Sequence, residues 1–287
     1  MTGLRELLGV RPGHLRLAAI DTRATPGVPD RRAVNDNPKA WSRKQVAAIG
    51  QDLAGYQERL FASAKEGATD RRVLLVLQAM DCGGKDGTVR NVIHGMNPAG
   101  MKAVSFGPPT AEERAHDFLW RIRRALPQAG YVGVFNRSHY EDVLVVRVHQ
   151  LVPEDVWSQR YEVINGFEQE LADDGLTMVK VMLHISREEQ RKRLLARLDD
   201  PTKRWKYNPG DLVERSRWQD YQQAYDDALN RCSTPAAPWY VVPADRKWYR
   251  NWAVATLLRQ AFADIDPKYP KPEFDVAAER EKVVTAR

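Results

Sequence analysis

Residues 81–88 read Asp-Cys-Gly-Gly-Lys-Asp-Gly-Thr, a carboxylate, adjacent glycines, a lysine and a hydroxyl in one short stretch. Such a composition is suited to binding phosphate. Glycines let the backbone approach an anion closely, and a helix starting there offers free N–H groups and the positive end of its dipole. Lys85 can reach terminal phosphate oxygens as a mobile point charge. A carboxylate such as Asp81 beside that cradle is unfavourable unless it binds Mg²⁺ or positions a nucleophile; its other use is to cap the turn that follows. The pattern departs from G-x-x-x-x-G-K-[ST], since Ala79 takes the first glycine position and Asp86 the hydroxyl position. Spacing alone leaves open a phosphate loop and an ordinary strand-to-helix turn.

A second constellation is Phe135-Asn136-Arg137-Ser138-His139-Tyr140-Glu141-Asp142. It concentrates an amide, a guanidinium, a hydroxyl, a ring nitrogen and two adjacent carboxylates. Arg137 can neutralise charge on a transferring phosphoryl group. Glu141 or Asp142 can hold Mg²⁺, directly or through water; a surface Arg–Glu network is the bland alternative. The third is the basic run 187–206, with Arg191, Lys192, Arg193, Arg197, Lys203, Arg204 and Lys206. A charge run usually means a solvated helix face. Here Asp200-Pro201 breaks the helix, and more cations follow on a loop, as in a lid closing over phosphates.

These groups need elements to position them. The apolar run 73–77 predicts a buried parallel strand immediately before the glycine loop. Further strands are expected at 103–106, 131–135, 178–185 and 239–242. Helices are expected at 41–68, from 85, and at 111–125, 153–173, 187–198 and 251–263. Strands alternating with helices predict an α/β chain with a doubly wound parallel sheet. Both chemical loops then follow strands, at the carboxyl ends where ligands bind in open α/β sheets. Residues 1–40, rich in Pro, Arg and Asp, read as an irregular arm. Residues 41–287 read as a single domain with a helical lid at about 190–235.

Composition narrows the function classes. The chain has 287 residues, is 43% hydrophobic and 29% charged, and carries a formal net charge of +6. Such a balance suits polyanionic partners. No apolar run approaches the ~20 residues of a membrane helix, and the N-terminus lacks the layout of a signal peptide. The two cysteines, Cys82 and Cys232, have no metal-ligand spacing and read as free thiols of a cytoplasmic protein.

Together QAMDCGGKDGTVRNV, GYVGVFNRSHYEDVLVVRVH, RLDDPTKRWKYNPGDL and PWYVVPADRKWYRNW resemble the family-2 polyphosphate kinases, over residues 41–266 and in the family's order. The resemblance implies a three-layer P-loop kinase fold with a central parallel sheet, similar to that of thymidylate kinase, and a helical lid. It implies Mg²⁺-dependent phosphoryl transfer between polyphosphate and nucleotides, with Mn²⁺ as an alternative ion. Asp81 and Lys85 match the family's essential loop pair, and Asp86 matches a residue common there. Catalytic roles are then expected for Asp81, Lys85, Arg137 and Asp142, with Asp81 and Asp142 on the metal. Phosphate is expected at Cys82, Gly83, Gly84, Asp86, Gly87 and Thr88, and at the cations Arg193, Arg197, Lys203, Arg204 and Lys206. Arg90, Asn91, Asn136 and Glu141 are expected at the nucleotide. The second motif reads FNRSHYED rather than FDRSWYNR, which looks like the subgroup accepting nucleoside mono- and diphosphates. Partners implied are polyphosphate and AMP, ADP or ATP, with guanine nucleotides as alternatives, in a homodimer or homotetramer. Two rivals stand beside this reading. One is an ATP-dependent nucleotide kinase of the same fold, against which Ala79 and Asp86 count. The other is a basic nucleic-acid-binding protein, which leaves both carboxylate-bearing loops without a purpose.

Overall fold

A computed structural model describes residues 3–30 and 32–286. Its centre is a parallel sheet of five strands: β1 (Arg72–Gln78), β2 (Met101–Ser105), β3 (Val132–Asn136), β4 (Leu176–His184) and β5 (Trp239–Pro243), in the order β2-β3-β1-β4-β5. Every residue of β1 is buried, as its unbroken apolar run requires of a strand covered on both faces. The chain runs from central β1 out to edge strand β2, back to β3, then across β1 to β4 and β5. Direction therefore reverses beside β1, and the crevice beyond the carboxyl ends of β1 and β3 is where such a sheet binds ligands.

The long helix Pro38–Lys65 begins with Asn37 capping Ala40 N–H at 3.1 Å, a little before the expected start. It packs on Lys247–Ile265, the apolar closing helix, which also covers the helix Lys85–Val92 after the glycine loop. The expected helix over 111–125 is divided into Ala111–Arg114 and Trp120–Ala125. Asp117 interrupts it by bonding Leu119 N–H at 2.9 Å. A helix not anticipated, Val276–Thr285, closes the chain with no buried residue.

The arm over the first forty positions is more structured than its composition suggests. Leu4–Leu8 is helical, and Leu4, Leu8 and Leu17 are buried in the core. Val10 N–H donates to Trp239 carbonyl at 2.9 Å, so the arm pairs with the outer edge of β5. The expected lid is also divided. Gly210–Ser216 has no buried residue, whereas Trp218–Arg231 buries Trp218, Tyr221, Ala224, Tyr225, Ala228 and Leu229. The latter helix belongs to the body. Among the described residues no helix is long and apolar enough to cross a membrane.

Candidate active site

Register brings the two chemical loops together. Leu77 pairs with Asn136 at the ends of β1 and β3, and Arg137 N–H donates to Leu77 carbonyl at 3.0 Å. The loops therefore leave the sheet side by side, and Arg137 Nη2 lies 3.0 Å from Asp81 Oδ1. A cleft of about 580 Å³ opens there, lined by nine lysines and arginines against three aspartates. That imbalance is what a polyanion would neutralise.

The glycine loop is tightly built. Gly84 has φ +102°, and a Cβ on it would lie 1.8 Å from Arg250 Nη1. A Cβ on Gly83 would lie 2.3 Å from that of Ala79. Both positions thus need glycine, one for its backbone angle as well as its contacts. Gly84 caps Lys85–Val92, whose first residues, Lys85, Asp86 and Gly87, line the cleft; the first N–H groups of a helix have no partner within it. Lys85 Nζ rests on Ala79 carbonyl at 3.0 Å. Burial, then the neighbouring Arg137 guanidinium, pulls Lys85 below the usual lysine value, with Asp81 and Glu141 opposing. An arriving anion would relieve that cost.

The turn after the Arg187–Asp199 helix reaches this loop. Asp86 accepts from Asn136 at 2.8 Å and lies 3.5 Å from Lys206 Nζ, linking the end of β3 to that turn. Arg197 donates to Lys206 carbonyl (2.9 Å) and Asp211 (3.1 Å), which shapes the turn. Lys203 lines the cleft while paired to Asp200 at 2.5 Å, and Gly87 and Arg90 line it from the loop helix.

Several expected residues lie elsewhere or are otherwise engaged. Asp142 accepts from Arg160 at 3.1 Å, and its carbonyl accepts from the same guanidinium at 3.0 Å. Its carboxylate is turned to the Glu154–Asp173 helix and does not line the cleft. Glu141 sits behind Arg137, 3.9 Å from its Nη1, and Gln78 donates to it at 3.1 Å. Burial pushes the Glu141 carboxyl up, against the pull of Arg137 and Lys85. The Thr88 hydroxyl is spent on Gly84 carbonyl at 3.1 Å inside the helix, and Arg204 Nε on Leu198 carbonyl at 2.9 Å. Asn91 bonds Gly87 carbonyl at 2.7 Å and lines a neighbouring groove. Burial pushes the Cys82 thiol up to about 11, so it is no nucleophile at neutral pH.

Arg193 lines the cleft, but its donors are committed to the protein. It bonds Glu189 (2.8 Å), the carbonyls of Cys82 and Gly83 (3.0 and 3.1 Å) and those of Ala244 and Asp245 (2.6 and 3.2 Å). This fork ties the glycine loop to the end of β5. Two further cations line the cleft: Lys247, part of the run Asp245-Arg246-Lys247 whose place after the last strand puts it near the site, and Arg250, which was not anticipated. Arg250 is 3% exposed and pulled down to about 10 by burial, then by Arg193. Its only side-chain partner among the described residues is Asn251. A signal was present in the sequence, since Lys247 and Arg250 are three apart at the start of a helix that follows a strand.

The donor set also bears on a metal. No group of three His, Cys, Asp or Glu side chains stands ready to hold an ion among the described residues. Mg²⁺ commonly takes only one or two carboxylates, with substrate phosphates and water completing its shell. Asp81, part-exposed in a basic cleft, fits that use.

Comparisons with known proteins bear on the family and the fold. The family model described as Polyphosphate kinase 2 (PPK2) matches residues 37–270. The AMP/ADP-polyphosphate phosphotransferase of Meiothermus ruber is 49% identical over 245 residues, covering 85% of this chain and 90% of its own. The ADP-polyphosphate phosphotransferase of Rhodopseudomonas palustris is 44% identical over 231 residues, covering 76% and 78%. The crystal structure of Polyphosphate Kinase 2 from Arthrobacter aurescens TC1 superposes with a TM-score of 0.93 at 48% identity, over 99% of this chain and 97% of that one.

Proposed function

The chain belongs to the polyphosphate kinase 2 family, and we propose that it moves a terminal phosphoryl group reversibly between inorganic polyphosphate and AMP or ADP. The observation that carries this reading is the cleft, with nine cations against three aspartates around a glycine loop holding Asp81 and Lys85. A chain of phosphates can occupy such a length of positive wall, and a small neutral substrate would leave it uncompensated.

A nucleotide phosphate oxygen attacks the terminal phosphorus of polyphosphate in line. That oxygen is anionic at neutral pH, so no general base is needed, and the protein's work is positioning and charge neutralisation. Gly83, Gly84 and the first N–H groups of the following helix cradle phosphate. Lys85 and Arg137 balance the charge shared by the transferring group. Lys203, Lys206, Lys247 and Arg250 hold the rest of the polymer, and the lid excludes water. Asp81 rather than Asp142 is the carboxylate suited to hold Mg²⁺, or Mn²⁺ in its place, because Asp81 lines the cleft whereas Asp142 is turned away from it to Arg160. That ion would supply further neutralisation between the reacting phosphates.

The test is chromatography of nucleotides after mixing protein, polyphosphate and Mg²⁺ with AMP or ADP in separate reactions, no ATP supplied. ADP and ATP from AMP are expected; ATP from ADP alone would narrow the acceptor. No product with either, from folded protein, would overturn the reading. The Lys85→Met variant is expected to lose turnover by a factor on the order of 10²–10³ while keeping its fold.

A further inference from the structure

His139 and Tyr140, between Ser138 and Glu141, turn into the core, and both are buried. There they meet a charge pair. Glu168, from the Glu154–Asp173 helix, accepts the Tyr140 hydroxyl (2.9 Å) and His139 Nε2 (3.1 Å) on one oxygen and Lys180 Nζ (2.5 Å) on the other. Lys180, on β4, also donates to the Tyr140 hydroxyl (2.7 Å) and to Cys232 carbonyl (2.8 Å). All three ammonium protons are thus used, and both charged side chains are 0% exposed.

A pair this deep is a poor stabiliser. Apolar residues of similar volume often serve stability as well or better, whereas removing one partner alone is costly. The pair does something local instead. It grips the turn that follows Arg137, whose backbone is left-handed at φ +66°. A non-glycine residue held there is strained and persists only where its surroundings over-determine it. Leu77 carbonyl holds the front of the turn through Arg137 N–H, and Glu168 holds its back.

We propose that Glu168 and Lys180 are positioning residues for phosphoryl transfer. Acting through His139 and Tyr140, they hold the turn so that Arg137 meets Asp81 and Glu141 backs it. The inference rests on the phosphoryl-transfer reading above.

The test compares wild type, Tyr140→Phe, Glu168→Gln and the double variant Glu168→Leu/Lys180→Met. Steady-state kinetics are read well below each melting temperature, with hydrogen exchange of the 137–142 segment alongside. Glu168→Gln is expected to lower kcat by a factor on the order of a hundred, with KM for both substrates within about twofold, and Tyr140→Phe to lower it less. Exchange at 137–142 should quicken in both while β1 and β4 stay protected. The double variant should regain melting temperature without regaining kcat. Recovery of kcat together with melting temperature would overturn the proposal, as would unchanged kcat in Glu168→Gln. Absence of turnover in wild type would sink the transfer reading instead. The exchange data then decide the positioning role, and unchanged exchange at 137–142 would refute it.

Discussion

At the residue scale, the site depends on groups held at a cost. Gly84 combines φ +102° with a position facing the buried Arg250 guanidinium. Gly84→Ala should therefore lose about 1–3 kcal/mol of stability and most turnover; a variant with wild-type melting and kinetics would show that Arg250 simply swings aside. Glu141 is a second such group. Burial raises its carboxyl above the ordinary glutamate value of 4.5, so the folded protein holds that proton more tightly than the unfolded chain. Its contribution is fully present below the unfolded value and is lost as pH rises through the raised one. Glu141→Gln escapes this loss. Its melting temperature should gain on wild type as pH rises above 4.5, while turnover falls because Arg137 loses its backing. A gap that narrows over that range would contradict the argument.

At the element scale, the phosphate loop is fixed by elements distant in sequence. The Arg187–Asp199 helix reaches it through Arg193, and the Lys247–Ile265 helix presents Arg250 beneath it. The arm before Pro38 is equally structural, since Leu17 is fully buried and its carbonyl accepts from His184 at 3.1 Å, at the carboxyl end of β4. Leu17→Ala is expected to cost about 2–5 kcal/mol in denaturant unfolding, the range for a well-packed core leucine. A cost under about 1 kcal/mol would mean the arm merely rests on the body.

At the scale of the whole molecule, a modest positive charge is focused into one cleft. Exposed parts of that field should be screened by salt, as for any partner that condenses counterions. The KM for long polyphosphate is expected to climb with added salt more steeply than that for AMP. Lys203→Ala and Lys206→Ala should each flatten the dependence, and slopes equal to wild type would remove both lid lysines from polymer binding.

The sheet, the loops and the motifs that identify the family are legible in the amino-acid order alone. Those features are local: a short apolar run such as 73–77, bounded by a glycine loop, reads as a covered strand, and a loop following it then lies at the sheet's carboxyl edge. Asp81, Lys85 and Arg137 were legible for that reason, being close to strand ends. Which side chains are free to act emerges only from the folded contacts. Arg193 reads as a phosphate ligand until the carbonyls of Cys82 and Ala244 are seen to occupy it. Asp142 reads as a match for Glu141 until Arg160 is seen beside it, and Arg250 reads as one helix cation among many. A side chain's partners come from segments tens to hundreds of residues away. Hydrogen bonding and desolvation at those contacts, rather than residue type, set whether a charge is spent on the fold or left for a substrate.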